Sequence, residues 1–174
     1  MGIQFETDYN METLTSMAKG LRKTVRKKRS RRVHIFAAVV LILGLLTILA
    51  TTAGGEPPGA SGVVTLLAML VVILVSLFED RLNAWFARKR LLPGTEHAVA
   101  TFEEDGYVSA TGVTESRFSY AQIVAVAETA RYFVFALSSH HTQAYDKRTI
   151  RGGSVEDFRA FIAEKTGKLV ENIK

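Results

Sequence analysis

Lys147, Arg148 and Arg151 lie within five positions of one another and, on a single loop, could present three cations to a phosphate or a carboxylate. They are the candidate contact residues for a lipid headgroup or an acidic partner. The plainer alternative is a solvated loop, or ion pairs to Glu156 and Asp157. His140 and His141 are adjacent, and neighbouring side chains in extended chain point apart, so they converge poorly on one metal. Glu103-Glu104-Asp105 is expected to mark an exposed hairpin tip. His34 is expected to sit at a membrane boundary. No G-x-S-x-G elbow and no glycine-rich phosphate loop is present. The absence of cysteine excludes disulfides and thiolate metal sites. The sequence therefore calls for no catalytic residue, no cofactor and no metal.

The elements that position the three cations lie in residues 95–174. His97–Glu103 and Tyr107–Thr111 flank Asp105-Gly106, a hairpin signal because these residues tolerate positive φ. Arg117–Tyr120, Gln122–Thr129, Arg131–Leu137 and Thr142–Asp146 read as further strands, several of them rich in β-branched and aromatic residues. Ser154 followed by Asp157 resembles a capping box. Val155, Phe158, Phe161 and Ile162 share one helical face, and Gly167 is the expected C-cap. About six strands and a closing helix fit a curled sheet with the layout of pleckstrin-homology-like domains. Lys147, Arg148 and Arg151 would then lie between the last strand and the helix.

Charge is segregated along the chain. The formal net charge is +5, but residues 1–32 carry nine Lys or Arg against three acids, and residues 95–174 carry nine basic and eleven acidic side chains. A nucleic-acid-binding domain should carry its own positive charge, so nucleic acid is not an expected partner. The basic groups flank two apolar runs. Residues 33–53 contain no Lys, Arg, Asp or Glu and would span ~31 Å as a helix, enough for a ~30 Å hydrocarbon core. Residues 60–78 form the second run, and the linker 54–59 (GGEPPG) supplies the reversal. A cleaved signal peptide is disfavoured by the long basic region and the long apolar run. A buried soluble hairpin is disfavoured by the lack of any ionised side chain. Nine basic residues precede the first run, four follow the second within 79–94, and none lies in the linker. The positive-inside rule then places both termini in the cytoplasm, in a multi-pass protein of the cell (inner) membrane.

The N-terminal arm, 1–32, starts with alternation at Ile3 and Phe5, which predicts a short strand. A strand this short cannot stand alone, and it is expected to cover an edge of the C-terminal sheet. Met11, Leu14, Ala18, Leu21 and Val25 then recur at helical spacing amid the basic cluster; no proline interrupts Met11 to Ala53, so this helix could run on into the first apolar run, with room for a bend near Gly20. Two roles stand side by side for this helix. It could lie on an anionic leaflet, or it could pack on the C-terminal domain while its cations set topology.

Phe118-Ser119-Tyr120, Ile123, Val126, Glu128-Thr129, Tyr132-Phe133, Lys147-Arg148 and Phe158 together resemble the YcxB-like family of small bacterial membrane proteins. The resemblance extends to the layout of arm, two apolar runs and compact domain. Tyr145-Asp146 departs from it, since the family has an apolar residue and a proline before the Lys-Arg pair. The resemblance implies no catalytic residue. The expected fold is an α+β membrane protein: a two-helix transmembrane hairpin plus a small β-rich cytoplasmic domain with a C-terminal helix. The expected function is that of a non-enzymatic, membrane-anchored interaction or regulatory module. The alternative is an immunity or stress-protection protein against a membrane-active toxin, and an enzyme ranks last. Expected partners are the lipid bilayer, a protein of unspecified identity and, as an option, a second copy of the chain in a homo-oligomer.

Overall fold

The computed structural model describes residues 2–53 and 59–173. β1 (Ile3–Asp8) leads into α1 (Met11–Lys23), α2 (Lys27–Ala53), α3 (Ala60–Leu77) and α4 (Glu79–Lys89). The strands β2 (His97–Phe102), β3 (Tyr107–Thr111), β4 (Glu115–Phe118), β5 (Ala125–Glu128), β6 (Tyr132–Ala136) and β7 (Thr142–Asp146) follow. The chain closes with α5 (Val155–Thr166) and β8 (Val170–Asn172). The fold is α+β, with two four-stranded sheets ordered β1-β2-β3-β4 and β7-β6-β5-β8. Of the linker read at 54–59, only Gly59 lies within the described residues, as the N-cap of α3.

β1 joins the two sheets. It pairs antiparallel with β2 from Ile3↔Phe102 to Asp8↔His97. Its other edge is bonded too: Gln4 and Arg151 exchange two backbone hydrogen bonds of 2.9 Å, and the Glu6 amide donates to Thr149 Oγ1. Alternation puts Ile3, Phe5 and Thr7 on the inner face, and all three are buried. The Phe5 ring lies 4.6 Å from that of Phe158, 5.8 Å from Phe102 and 5.7 Å from Tyr145. Phe133, Phe135 and Tyr107 complete a core made mostly of aromatic rings, with α5 closing it through Phe158 and Ile162. Such edge-to-face contacts contribute ~0.5–1.5 kcal/mol per pair beyond area burial.

α1 packs on the second sheet. Met17 packs against a cluster made of Ala127, Tyr132, Val134, Ala144 and Ile173, and Leu14 and Leu21 are buried. The stripe at Leu14 and Leu21 therefore faces protein. The helix is not continuous with the first apolar run, and no bend forms at Gly20 itself; α1 continues to Lys23 and the chain breaks at 24–26 before α2. Gly20 is small for a packing reason, because a Cβ there would sit 2.8 Å from Val134 Cγ1. The start of the helix is capped by Asn10, whose Oδ1 accepts from the Glu12 and Thr13 amides. The buried Thr13 hydroxyl meets both the Asp8 carbonyl and the Tyr132 hydroxyl.

Two further readings need correction. The strand expected at Arg117–Tyr120 runs two residues earlier, because Ser119 and Gln122 cap a 3-10 turn over Tyr120–Gln122 and end it. Gly106 does not adopt positive φ. It is required because a Cβ would lie 2.4 Å from the Phe118 carbonyl oxygen. Tyr120 clamps the same hairpin by donating to the Glu103 and Gly106 carbonyls. Ser154 and Asp157 form the capping box, and Gly167 at φ 62° ends α5 in the left-handed conformation.

α2 and α3 are long and apolar enough to cross a membrane. α2 contributes no buried residue and α3 only Gly62, while Phe36, Leu43, Leu67 and Leu77 are all exposed. Neither helix is packed into the core of the β-rich domain. The two helices touch closely at Gly44, where a Cβ would stand 2.8 Å from Met69 Sδ. α4 has no counterpart in the sequence reading. It packs along α1 and buries only Ala84.

Phe158→Ala in the full chain should cost ~3–5 kcal/mol of unfolding free energy, since it empties the centre of the core. Denaturant unfolding of the detergent-solubilised protein checks this, and an unchanged midpoint would contradict the packing described.

Candidate functional site

The three cations read from the sequence do not converge. Lys147 is turned inward: its Nζ donates to Glu128 Oε1 at 3.0 Å and to the Thr129 carbonyl at 2.7 Å. Arg148 folds back onto Asp146 through Nε and Nη2. Arg151 pairs with Glu6 Oε1 at 3.0 Å. Arg148 and Arg151 remain largely exposed. Their partners are not those expected, because Asp157 is occupied by Ser154 and Glu156 sits 3.8 Å from Arg159. Tyr145-Asp146, the departure from the family pattern, has a local use: Asp146 Oδ1 accepts from the Arg148 amide and ends β7 in a 3-10 turn.

Two buried carboxylates organise this end of the domain. Asp146 Oδ2 accepts from Arg131 Nε, Arg131 Nη2 and Arg148 Nη2 at 2.9–3.0 Å. Arg131 also pairs with Glu12 in the first turn of α1. Glu128 Oε1 and Oε2 accept from Arg159 as well as Lys147, at 2.7–3.0 Å. The Arg159 hydrogen bonds foremost, with Lys147, hold the Glu128 carboxyl below its ordinary value of 4.5 against the opposing effect of burial. An acid–base catalyst should be poised nearer neutrality with a free lone pair. Glu128 has neither property and reads as a structural ion cluster. Tyr107 and Tyr145 both donate to Gln143 Oε1 at 2.7 Å, and burial raises both hydroxyls far above their usual range.

A concave site of a different kind lies elsewhere. A cleft of about 630 Å³ opens between α1, the first turns of α2, α4 and the β6–β7 turn. Arg22, Arg26, Arg29, Arg90 and His140 line it, with Glu79 the one acidic lining residue. Arg22 is held by Asp80 through two bonds of 2.6–2.7 Å, which raises its already high pKa. Arg26 reaches from the α1–α2 break to the domain, donating to the Ser139 carbonyl at 2.7 Å and meeting His140 Nδ1 at 3.0 Å. Arg29 and Arg90 have no carboxylate within ion-pair distance among the described residues. Leu14, Met17 and Leu21 line its inner side, and Val33 and Phe86, both about half exposed, are the large apolar residues of its wall that are most open to solvent.

His34 does lie at the foot of the apolar run, with Nε2 3.8 Å from Glu79. His141 packs against Phe118 rather than joining His140 on a metal. Glu103 and Glu104 pair with Arg117 and Lys165 at the hairpin tip. Among the described residues no group of three His, Asp or Glu side chains could hold a metal ion. In the sequence Arg26 and Arg29 belong to the basic cluster of the arm, and Arg90 to the basic flank after the second apolar run. No spacing reveals that the two basic flanks meet, because the packing of α1 on α4 brings them together.

Glu128→Gln should destabilise the protein by ~3 kcal/mol at neutral pH, because it strands Lys147 and Arg159 beside a neutral amide. A depressed carboxyl stabilises the fold above its ordinary value and loses that contribution as pH falls through the lowered one. The gap in melting temperature between wild type and variant should therefore close in acid, below about pH 4.5. A gap constant from pH 7 to pH 3 would show that the carboxylate is not held this way.

No curated protein and no solved structure matches the chain. A family model described as YcxB-like protein matches residues 102–162, the stretch from the end of β2 through most of α5. That segment holds Phe118, Tyr132, Lys147 and Phe158, and over it the chain is similar to the YcxB-like family.

Proposed function

We propose that the protein is a non-enzymatic interaction or regulatory module anchored in the cell membrane by a two-helix hairpin, with both termini in the cytoplasm. One observation carries this reading. β1 precedes the two long apolar helices and β2 follows them, yet the two strands pair along six residues. If α2 and α3 each cross a bilayer, an even number of crossings is the only way to bring those strands together. The basic flanks select the cytoplasmic side. The two-sheet body closed by α5 is read as a pleckstrin-homology-like module. It is coupled to its anchor without a flexible tether, because α1 and α4 pack on each other and lead into α2 and from α3.

The non-enzymatic reading rests on the buried polar groups. Glu128 and Asp146 are saturated by cations, and Gln143 joins two neutral tyrosines. These arrangements position strands and leave nothing poised for proton transfer. Reporters fused after residue 174 should behave as cytoplasmic, and a tag placed within 54–59 should be labelled from outside intact cells. A C-terminus reachable from outside would overturn the reading.

A further inference from the structure

The cationic cleft has a composition and a position that point to one class of ligand. Arg29 comes from α2 and Arg90 from the end of α4, so two helices bring guanidinium groups to one cavity. Neither has a carboxylate partner among the described residues, unlike Arg22, which is neutralised by Asp80. Arg26 is already fixed by Ser139 and His140, so the wall it forms is preorganised. The first turn of α2 borders the cavity and carries no acidic residue, which leaves the positive end of its dipole uncompensated. The cleft would sit at the headgroup level. Val33 is the first residue of the apolar run, and Phe86 is an aromatic side chain of the helix that follows the second. Cationic and apolar groups thus line one cavity next to the bilayer. A soluble anion would use the first and leave Val33 and Phe86 wet.

We infer that this cleft binds the phosphodiester group of an anionic phospholipid, with Arg29 and Arg90 as its principal charge partners and an acyl chain lying against Val33 and Phe86. Guanidinium groups suit this role because their planar donors match two phosphate oxygens at once. The inference rests on the membrane-hairpin reading. It adds a defined lipid site to the diffuse attraction that any juxtamembrane basic run exerts on an anionic leaflet.

The test uses the full-length protein in a neutral detergent, titrated with short-chain phosphatidylglycerol, short-chain phosphatidylcholine or inorganic phosphate. Binding is read by native mass spectrometry and by melting temperature. Three proteins are compared: wild type, Arg29→Gln/Arg90→Gln, and Lys27→Gln/Lys28→Gln. The last removes the same charge from residues outside the cleft. Phosphatidylglycerol should bind wild type and the Lys27/Lys28 variant alike, and the Arg29/Arg90 variant about tenfold more weakly or worse. Equal weakening of both variants would reduce the effect to surface charge and overturn the site. Equal binding of phosphatidylcholine, or inorganic phosphate matching the lipid, would overturn the ligand. Labelling of a tag within 54–59 in the same variants reports insertion separately, so loss of the hairpin and loss of the lipid site give different results.

Discussion

The inner face of β1 holds the rest of the structure in place. Phe5 enters a core whose other aromatic members all come from beyond residue 100. It touches Phe102 of the first sheet, Phe133 and Tyr145 of the second, and Phe158 of α5. One side chain thus meets all three layers. The backbone around it bonds on both edges, to β2 and to the 149–151 segment, so the strand closes a gap between sheets rather than lengthening one of them. A strand that belongs to this core yet precedes two long apolar helices imposes a condition on them. They must bring the chain back to where β1 stands, so that β2 can pair with it.

Ion pairs then set the angle at which the helices leave the body. Arg131 connects Asp146 at the end of β7 to Glu12 in the first turn of α1. Arg22 connects the last turn of α1 to Asp80 in the first turn of α4. Arg26 connects the α1–α2 break to the β6–β7 turn. A partly buried pair of this kind adds little net stability against an apolar replacement, but removing one partner strands the other. Their shared consequence is geometric. The domain, α1 and α4 form one packed unit, and the basic flanks of the two apolar helices converge instead of spreading over a surface. The cleft at Arg29 and Arg90 is a product of that convergence.

Much of this was legible in the residues. β3 and β7 have the bounds their alternation and turn residues predict, and Ser154, Asp157 and Gly167 mark α5 because caps act locally. Other features depend on tertiary contacts that leave no local trace. Gly20 looks like a hinge, but only the approach of Val134 explains it. β8 has three residues and exists because β5 offers a parallel edge, with Val170 beside Val126. α4 buries Ala84 and exposes Leu82, Trp85 and Phe86, so no apolar stripe announces its packing face. Lys147, Arg148 and Arg151 share a loop, as their spacing requires, yet each goes to a different carboxylate. Glu128 and Glu6 lie far from that loop in sequence, and no spacing rule could have named them.

Amide hydrogen exchange of the full-length protein in a membrane mimetic tests the closure by β1 most directly. The amides of residues 3–7 should be protected to the same degree as those of β2, including Gln4 and Glu6, whose partners are Arg151 and Thr149. Protection on both edges would establish that the strand before the apolar helices and the sheet after them form a single cooperative unit. Exchange at the rate of a free peptide across residues 3–7, with β2 still protected, would contradict the account at its base.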